Sequence, residues 1–255
     1  MNSRIRLVRL ITALAVSAVT ASVAAADTSA RWEYQGKAGA AHWGELAPDY
    51  AACRQGRAQS PVDIRASRIS RTGTSAPIGF GYRPGSADFV NNGHTVQVDL
   101  GDGGSIDVAG TSYRLVQFHF HTPSEEAVNG RRYPLVAHLV HKSDAGELAV
   151  VAILFRQGRD NAALAPVFAN MPATAGEKRA AGAGFDPASL LPARRGYYGY
   201  TGSLTTPPCS EGVRWHILKQ PVEVSAAQLA AFRKLYRMNA RPVQPLNGRV
   251  VVVNP

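Results

Sequence analysis

The sequence predicts an α+β domain that is mostly β-sheet, with a few peripheral helices. Between residues 62 and 151, short strand-like runs alternate with turn signals such as GDGG and NGRRYP. Helical patterns are few and occur late in the chain. The 255 residues are 45% hydrophobic and contain no repeat, low-complexity tract or linker. A single domain is therefore the simplest interpretation.

The first 26 residues are predicted to be a secretory signal, which leaves residues 27–255 as the domain. Three arginines precede an uncharged run, rich in Ala and Val, from Leu10 to Ala26, and small residues stand before Asp27. An uncleaved membrane anchor is the alternative, but the run is short and rich in alanine for a span. No other segment could cross a bilayer, so we expect a periplasmic or secreted protein.

Five strand-like runs follow one another in the predicted sheet. They are VNNGHTVQVDL, SIDVAG, YRLVQFHFH, PLVAHLVHK and ELAVVAILF. Two helices are predicted later, in NAALAPVFANM and in SAAQLAAFRKLYRM. The second has Ser225 as N-cap with Gln228 three residues on, and places Leu229, Phe232 and Leu235 or Tyr236 on one face.

The two cysteines, Cys53 and Cys209, are predicted to form a disulfide, because an isolated pair outside the cytoplasm usually ends as one bridge. Two buried free thiols are the alternative.

The formal net charge of +10 includes three leader arginines, and the remaining Lys and Arg residues are scattered. Because no basic block with interleaved aromatic residues occurs, we expect no nucleic-acid partner.

A histidine pair stands in the run LVQFHFH. Successive strand side chains point to opposite faces, so Gln117, His119 and His121 share one face while Phe118 and Phe120 share the other. Two buried imidazoles would each need partners for their ring nitrogens, and a divalent metal satisfies both rings at once. A structural pair on a solvated sheet face is the alternative.

A third histidine is available on the next run, PLVAHLVHK, as His138 or His141. These two residues point to opposite faces, so only one of them can join the pair. Three neutral nitrogens without a cysteine or carboxylate ligand suit zinc, with the fourth position open to water. Such a site lowers the pKa of the water to about 7.

Six motifs in order resemble the alpha-class carbonic anhydrases: HWGE, QSPVDI, NNGH, QFHFH, AHLVH and GSLTTPPCSEGVRWH. The run NARPVQPLNGR matches the C-terminal part of the family, and the resemblance covers about residues 41–251. It implies a large, twisted, mainly antiparallel sheet with a conical cleft. It also implies reversible hydration of carbon dioxide to bicarbonate and a proton by zinc-bound hydroxide.

The resemblance also assigns roles to individual residues. Zinc would be held by His119, His121 and His138, with His141 outside the site and Gln117 as the hydrogen-bond partner of His119. Glu125 would accept the hydroxyl proton of Thr205, which orients the nucleophile, and His94 would shuttle protons. The pocket for carbon dioxide and bicarbonate would be formed by Val140, Val150, Leu204, Thr205, Thr206, Val213 and Trp215.

Further family features concern the backbone and the assembly. Cys53 and Cys209 match the disulfide of bacterial and many extracellular members, and Ser60–Pro61 and Pro207–Pro208 correspond to cis bonds. Bacterial members are often dimers, so a homodimer is compatible with the resemblance.

Three positions depart from the family pattern. Val136 stands where a glutamate usually accepts the other N–H of the third ligand, which predicts weaker metal binding unless another carboxylate reaches His138. Glu126 stands where histidine is common, and its charge could raise the pKa of Glu125. Glu45 stands where a tyrosine that lines the cleft is usual.

Two other functions are compatible with parts of the sequence. His119, His121 and Glu125 fit the His-x-His-x3-Glu pattern of the cupins, but Tyr113 replaces their leading glycine. A carbonic-anhydrase-like binding module without activity is the second alternative, supported only by Val136.

Overall fold

The computed structural model of the protein describes residues 30–181 and 184–255. Sixteen strands lie within these residues: β1 Asp63–Ile64, β2 Ile69–Thr74, β3 Ile78–Tyr82, β4 Ala87–Asn91, β5 Val96–Leu100, β6 Gly104–Val108, β7 Thr111–His121, β8 Ala127–Val128, β9 Arg131–Arg132, β10 Leu135–Lys142, β11 Leu148–Gln157, β12 Lys178–Ala180, β13 Tyr197–Ser203, β14 Glu211–Leu218, β15 Val222–Val224 and β16 Val251–Asn254.

The helices are short. The α-helices are α1 Trp43–Leu46, α2 Ala52–Gln55, α3 Ala165–Ala169 and α4 Ala226–Leu235, and the 3₁₀ turns are Gly36–Ala38, Pro48–Tyr50, Ala66–Arg68 and Pro187–Leu190. None of the helices found between residue 30 and the C-terminus is long and apolar enough to cross a membrane. The leader predicted at residues 1–26 lies outside the described residues.

Thirteen of the described strands form one large sheet, and β1, β8 and β9 form a small separate one. The main path runs β12-β4-β5-β7-β10-β11-β14-β13-β16-β2, with β6 also paired to β7 and β15 to β11. Its pairs are antiparallel except β11 with β14, β11 with β15 and β16 with β2. The predicted mostly-β fold with a mainly antiparallel central sheet is confirmed.

The two faces of the central strands serve different purposes. Phe118 and Phe120 of β7, with Ala137 and Leu139 of β10, point into the main hydrophobic core, on which α4 packs. The opposite face of β10 carries Val136 within a second apolar cluster. Both faces of β10 are thus buried, which explains why its sequence reads as a nearly continuous apolar run.

Two sequence predictions differ from the structure in extent. VNNGHTVQVDL forms two strands, β4 and β5, because Asn92 turns the chain by accepting the backbone N–H groups of His94 and Thr95 at its side-chain oxygen. The first predicted helix is only the five residues of α3. The capping box of Ser225 and Gln228 on α4 is confirmed, and that helix ends at Leu235.

The predicted disulfide between Cys53 and Cys209 is present, and it joins α2 to the turn between β13 and β14. The expected cis peptide bonds at Ser60–Pro61 and Pro207–Pro208 are also present. A third is found at Thr122–Pro123, directly after β7.

Candidate metal centre

Three imidazole rings converge at the C-terminal end of β7. His119 and His121 lie on one face of that strand, and His138 of β10 is paired directly with His119 across the sheet. One ring nitrogen of each histidine lies within 4.8 Å of the corresponding nitrogens of the other two. The strand alternation therefore produces the convergence that the sequence predicts.

The rings on β7 are held by hydrogen bonds at their outer nitrogens. The Nδ1 of His119 lies 2.9 Å from Oε1 of Gln117, and the Nδ1 of His121 lies 2.7 Å from the backbone oxygen of Asn239. Both acceptors require the proton on Nδ1, which leaves Nε2 as a lone-pair donor. The buried Nε2 of His121 has no hydrogen-bond partner among the described residues. This donor set is the kind that zinc prefers.

The third ring is held by a carboxylate from a loop. The Nε2 of His138 lies 2.9 Å from Oε1 of Glu126, and both side chains are buried. The weaker metal binding expected from Val136 depended on no other carboxylate reaching His138. Because Glu126 does reach it, the expected weakening no longer follows.

The charge states of the rings depend on burial and on these carboxylates. Burial, with a smaller contribution from the nearby His138, lowers the pKa of His119 to about 3 and the pKa of His121 well below its usual value. Burial also lowers the pKa of His138, but the Glu126 and Glu125 carboxylates outweigh it and raise that pKa above its usual value. The site therefore contains two neutral imidazoles, His119 and His121, beside His138, whose partner is the Glu126 carboxylate.

Glu125 lies beside two of the rings, with its Oε2 3.6 Å from Nε2 of His121 and 3.8 Å from Nδ1 of His138. Its Oε1 accepts the backbone N–H of Arg241 at 2.7 Å. Its Oε2 has no partner at normal hydrogen-bonding geometry within the described residues, although the Thr205 side chain is close enough to lower the carboxyl pKa. The pKa of Glu125 is raised to about 7, mainly by burial and in part by the Glu126 charge, as the sequence suggested.

His94 lies in the turn between β4 and β5, at the wall of the same cleft. Its ring stacks on the indole of Trp32, with centroids 3.6 Å apart. Partial burial lowers the pKa of His94 from its usual 6.5, although Glu33 raises it. The ring is thus half-buried and lines the cleft.

Apolar side chains form another part of the cleft lining. Val140, Val150, Leu204 and Trp215 line the cleft together with Thr205 and Thr206. Val213 does not line it but packs in the apolar cluster behind Trp215. Six of the seven predicted pocket residues therefore face the cavity, and the seventh supports it.

His141 and Glu45 lie away from the cleft. His141 points into the opposite side of the sheet, where its Nε2 lies 2.8 Å from the hydroxyl of Tyr82. Glu45 is half-exposed and pairs with Arg54 at 3.2 Å. The tyrosine that lines the cleft is Tyr34. The departure noted at position 45 therefore does not change the cleft.

Sequence reasoning missed three further residues that build the site. Trp32 and Tyr34, in the run RWEY, form the aromatic entrance. Asn239 is buried and donates its side-chain amide to the backbone oxygens of His94 and Phe120. The only sequence signals for these three residues were an aromatic pair near the start of the domain and an asparagine at the start of the C-terminal motif.

Comparisons with known proteins agree with this geometry. The model of the eukaryotic-type carbonic anhydrase family matches residues 38–255. A protein named carbonic anhydrase from Pectobacterium carotovorum is 39% identical over 230 residues, which cover 90% of this chain and 93% of that protein. Another, from Neisseria gonorrhoeae, is 41% identical over 246 residues and 96% of both chains.

A solved structure shows the same fold. The alpha-carbonic anhydrase of Thermovibrio ammonificans, in complex with the inhibitor sulfanilamide, superimposes with a TM-score of 0.85 at 47% identity. The match covers 88% of this chain and 99% of that one. These matches extend over both histidine strands and the C-terminal motif, and they leave the cupin alternative without support.

Proposed function

Because the chain belongs to the eukaryotic-type, or alpha-class, carbonic anhydrase family, we propose that it is a zinc enzyme that hydrates carbon dioxide reversibly, with His94 as proton shuttle. The observation that carries the proposal is the set of three imidazoles whose outer nitrogens are all engaged, so that their other nitrogens face one centre. Zinc is the cofactor, and carbon dioxide and bicarbonate are the small-molecule substrates.

His119, His121 and His138 would hold the ion. Their neutral nitrogens, with no cysteine beside them, match the ligands of catalytic zinc sites. When bound, zinc supplies a hydroxide nucleophile at neutral pH by lowering the pKa of water to about 7. The hydrogen bonds to Gln117 and to the backbone of Asn239 fix which nitrogen of each β7 ring is available.

Thr205 would orient the nucleophile. The backbone N–H of Arg241 occupies one oxygen of Glu125, and the second oxygen is left for the Thr205 hydroxyl. A hydroxyl that donates its proton to this carboxylate can only accept a hydrogen bond from the cleft side. This restriction selects one orientation of the attacking group.

The substrate would lie against the apolar wall. Carbon dioxide is small and carries no net charge, so Val140, Val150, Leu204 and Trp215 can receive it without a charged partner. Thr206, beside Thr205, would contact bicarbonate through its hydroxyl. Val213 supports this wall from behind.

His94 would carry the proton out of the cleft. Its ring lines the cavity and is half-buried, so it can exchange protons with solvent. Its pKa lies below the ordinary value because of partial burial, which keeps the ring neutral and ready to accept a proton at pH 7.

We also propose that residues 27–255 are one catalytic domain that acts outside the cytoplasm. The disulfide between Cys53 and Cys209 supports an oxidising compartment. The predicted signal at residues 1–26 would direct the export, and the mature chain would then be periplasmic or secreted.

Metal content and stopped-flow carbon dioxide hydration test the proposal together. The parent should hold one zinc per chain and hydrate carbon dioxide, and His119→Ala or His138→Ala should lose both properties. His141→Gln is the matched control on the same strand and should keep its zinc. A zinc-loaded parent without hydration activity would contradict the proposal and favour an inactive binding module.

A further inference from the structure

On its own strand, His138 lies between two apolar residues of the same face, Val136 and Val140. Val136, two residues earlier, lies on the same face of β10 and is completely buried in the apolar cluster that includes Trp215. The Nε2 of His138 must therefore find its acceptor outside the strand. An imidazole with a free N–H in such a place would be costly and could rotate or change tautomer.

The acceptor comes from the loop between β7 and β8. Oε1 of Glu126 lies 2.9 Å from Nε2 of His138, and the exposed fractions of the two side chains are 0% and 1%. Oε2 of Glu126 has no hydrogen-bond partner among the described residues. A fully buried carboxylate with so few partners is unfavourable for stability, so a stabilising role does not explain it.

The loop is built to present two adjacent carboxylates to different partners. Ser124 fixes it by donating its hydroxyl to the backbone oxygen of Glu126 at 2.6 Å and its backbone N–H to Tyr133. Ala127 then pairs with β1. Between these anchors Glu125 reaches the Arg241 backbone while Glu126 reaches His138.

We propose that Glu126 is a positioning residue for metal binding that takes the place of a carboxylate on β10 at position 136. By accepting the Nε2–H of His138 it fixes the ring so that Nδ1 faces the metal. The carboxylate function is thus supplied by the loop in this chain, and position 136 is free to be apolar. This inference rests on the proposed function, because it concerns zinc held by the three histidines.

A reciprocal exchange of the two side chains tests the proposal. Glu126→Gln keeps the shape but removes the charge, and we expect the zinc dissociation constant to rise about 10–100-fold. The double variant Glu126→Val with Val136→Glu moves the carboxylate to the strand and should restore most of the affinity. Its matched control, Glu126→Val with Val136→Gln, has the same bulk without the charge and should not.

The readouts separate metal binding from folding and from activity. Zinc affinity is measured by chelator competition, the ligand field by the visible spectrum of the cobalt(II)-loaded protein, and folding by the melting temperature of the metal-free form. Unchanged zinc affinity in Glu126→Gln would overturn the proposal. Equal rescue by the neutral control would also overturn it, because packing rather than charge would then be responsible.

A measurement on the unmodified protein keeps the proposal testable if a variant fails to fold. In the zinc-loaded protein, the Nε2–H proton of His138 should appear in the NMR spectrum as a protected, low-field resonance. Its absence would contradict the hydrogen bond to Glu126. If instead the parent itself bound no zinc, the proposed function would fail, and that result differs from every outcome above.

Discussion

The indole of Trp32 and the imidazole of His94 are stacked, with ring planes 8° from parallel. Because burial lowers the pKa of His94, removing the indole in Trp32→Ala should let that pKa rise toward its usual 6.5. An NMR titration of the zinc-loaded protein measures this change. Trp32→Phe keeps an aromatic cover and should resemble the parent. An unchanged pKa in Trp32→Ala would show that the stack is not responsible.

His94→Ala should slow carbon dioxide hydration mainly in dilute buffer. Without the imidazole, proton transfer to bulk solvent becomes limiting, and we expect a loss of about 100-fold. Added imidazole should restore the rate, as measured by stopped flow at increasing imidazole concentration. His42, whose side chain is 53% exposed, provides the control His42→Ala, which should behave like the parent. Full activity of His94→Ala in dilute buffer would remove the shuttle from the mechanism.

Arg241→Met should destabilise the protein. The buried guanidinium donates to the side chain of Gln59 and to the backbone oxygens of Ser60 and Cys53. Its removal leaves three acceptors without this donor, two of them in buried hydrogen bonds, so the free energy of unfolding should fall by roughly 3 kcal/mol. Urea unfolding of the parent and the variant measures this loss of free energy. The same change at Arg114, which is 73% exposed, should cost less than about 0.5 kcal/mol.

His216 makes stability depend on pH. Burial lowers its pKa to about 4, while an unfolded chain would protonate it near 6.5. The stability that it contributes is therefore complete above pH 6.5 and is lost as the pH falls toward 4. His216→Phe should reduce the slope of unfolding free energy against pH by about 1.4 kcal/mol per unit in that window. Urea unfolding at several pH values checks this, and an unchanged slope would contradict it.

The convergence of the three candidate metal ligands could be predicted because it follows from local alternation. His119 and His121 share a face whatever the rest of the fold does, and the opposition of His138 and His141 on the next strand follows from the same rule. Choosing His138 required the family resemblance, because alternation alone does not say which face of β10 meets the cleft.

The supporting contacts could not be predicted because they connect distant parts of the chain. Glu126 reaches His138 through the path of a loop, and the order of residues gives no sign of that path. Trp32 stacks on His94 across more than sixty residues, and Arg241 contacts Gln59 across 182 positions. Sequence spacing carries no information on such distances.

His119 pairs directly with His138 across the antiparallel strands β7 and β10. Zinc binding by these histidines would therefore depend on the correct alignment of the two strands. If β10 slipped by one residue, Ala137 or Leu139 would stand opposite His119 and the third imidazole would turn to the far side of the sheet. If the three histidines bind zinc as proposed, misaligned chains would gain nothing from it, while correctly aligned chains would be stabilised by it through mass action. Supplying the ion during refolding should thus enrich the properly aligned molecules at the expense of their shifted competitors.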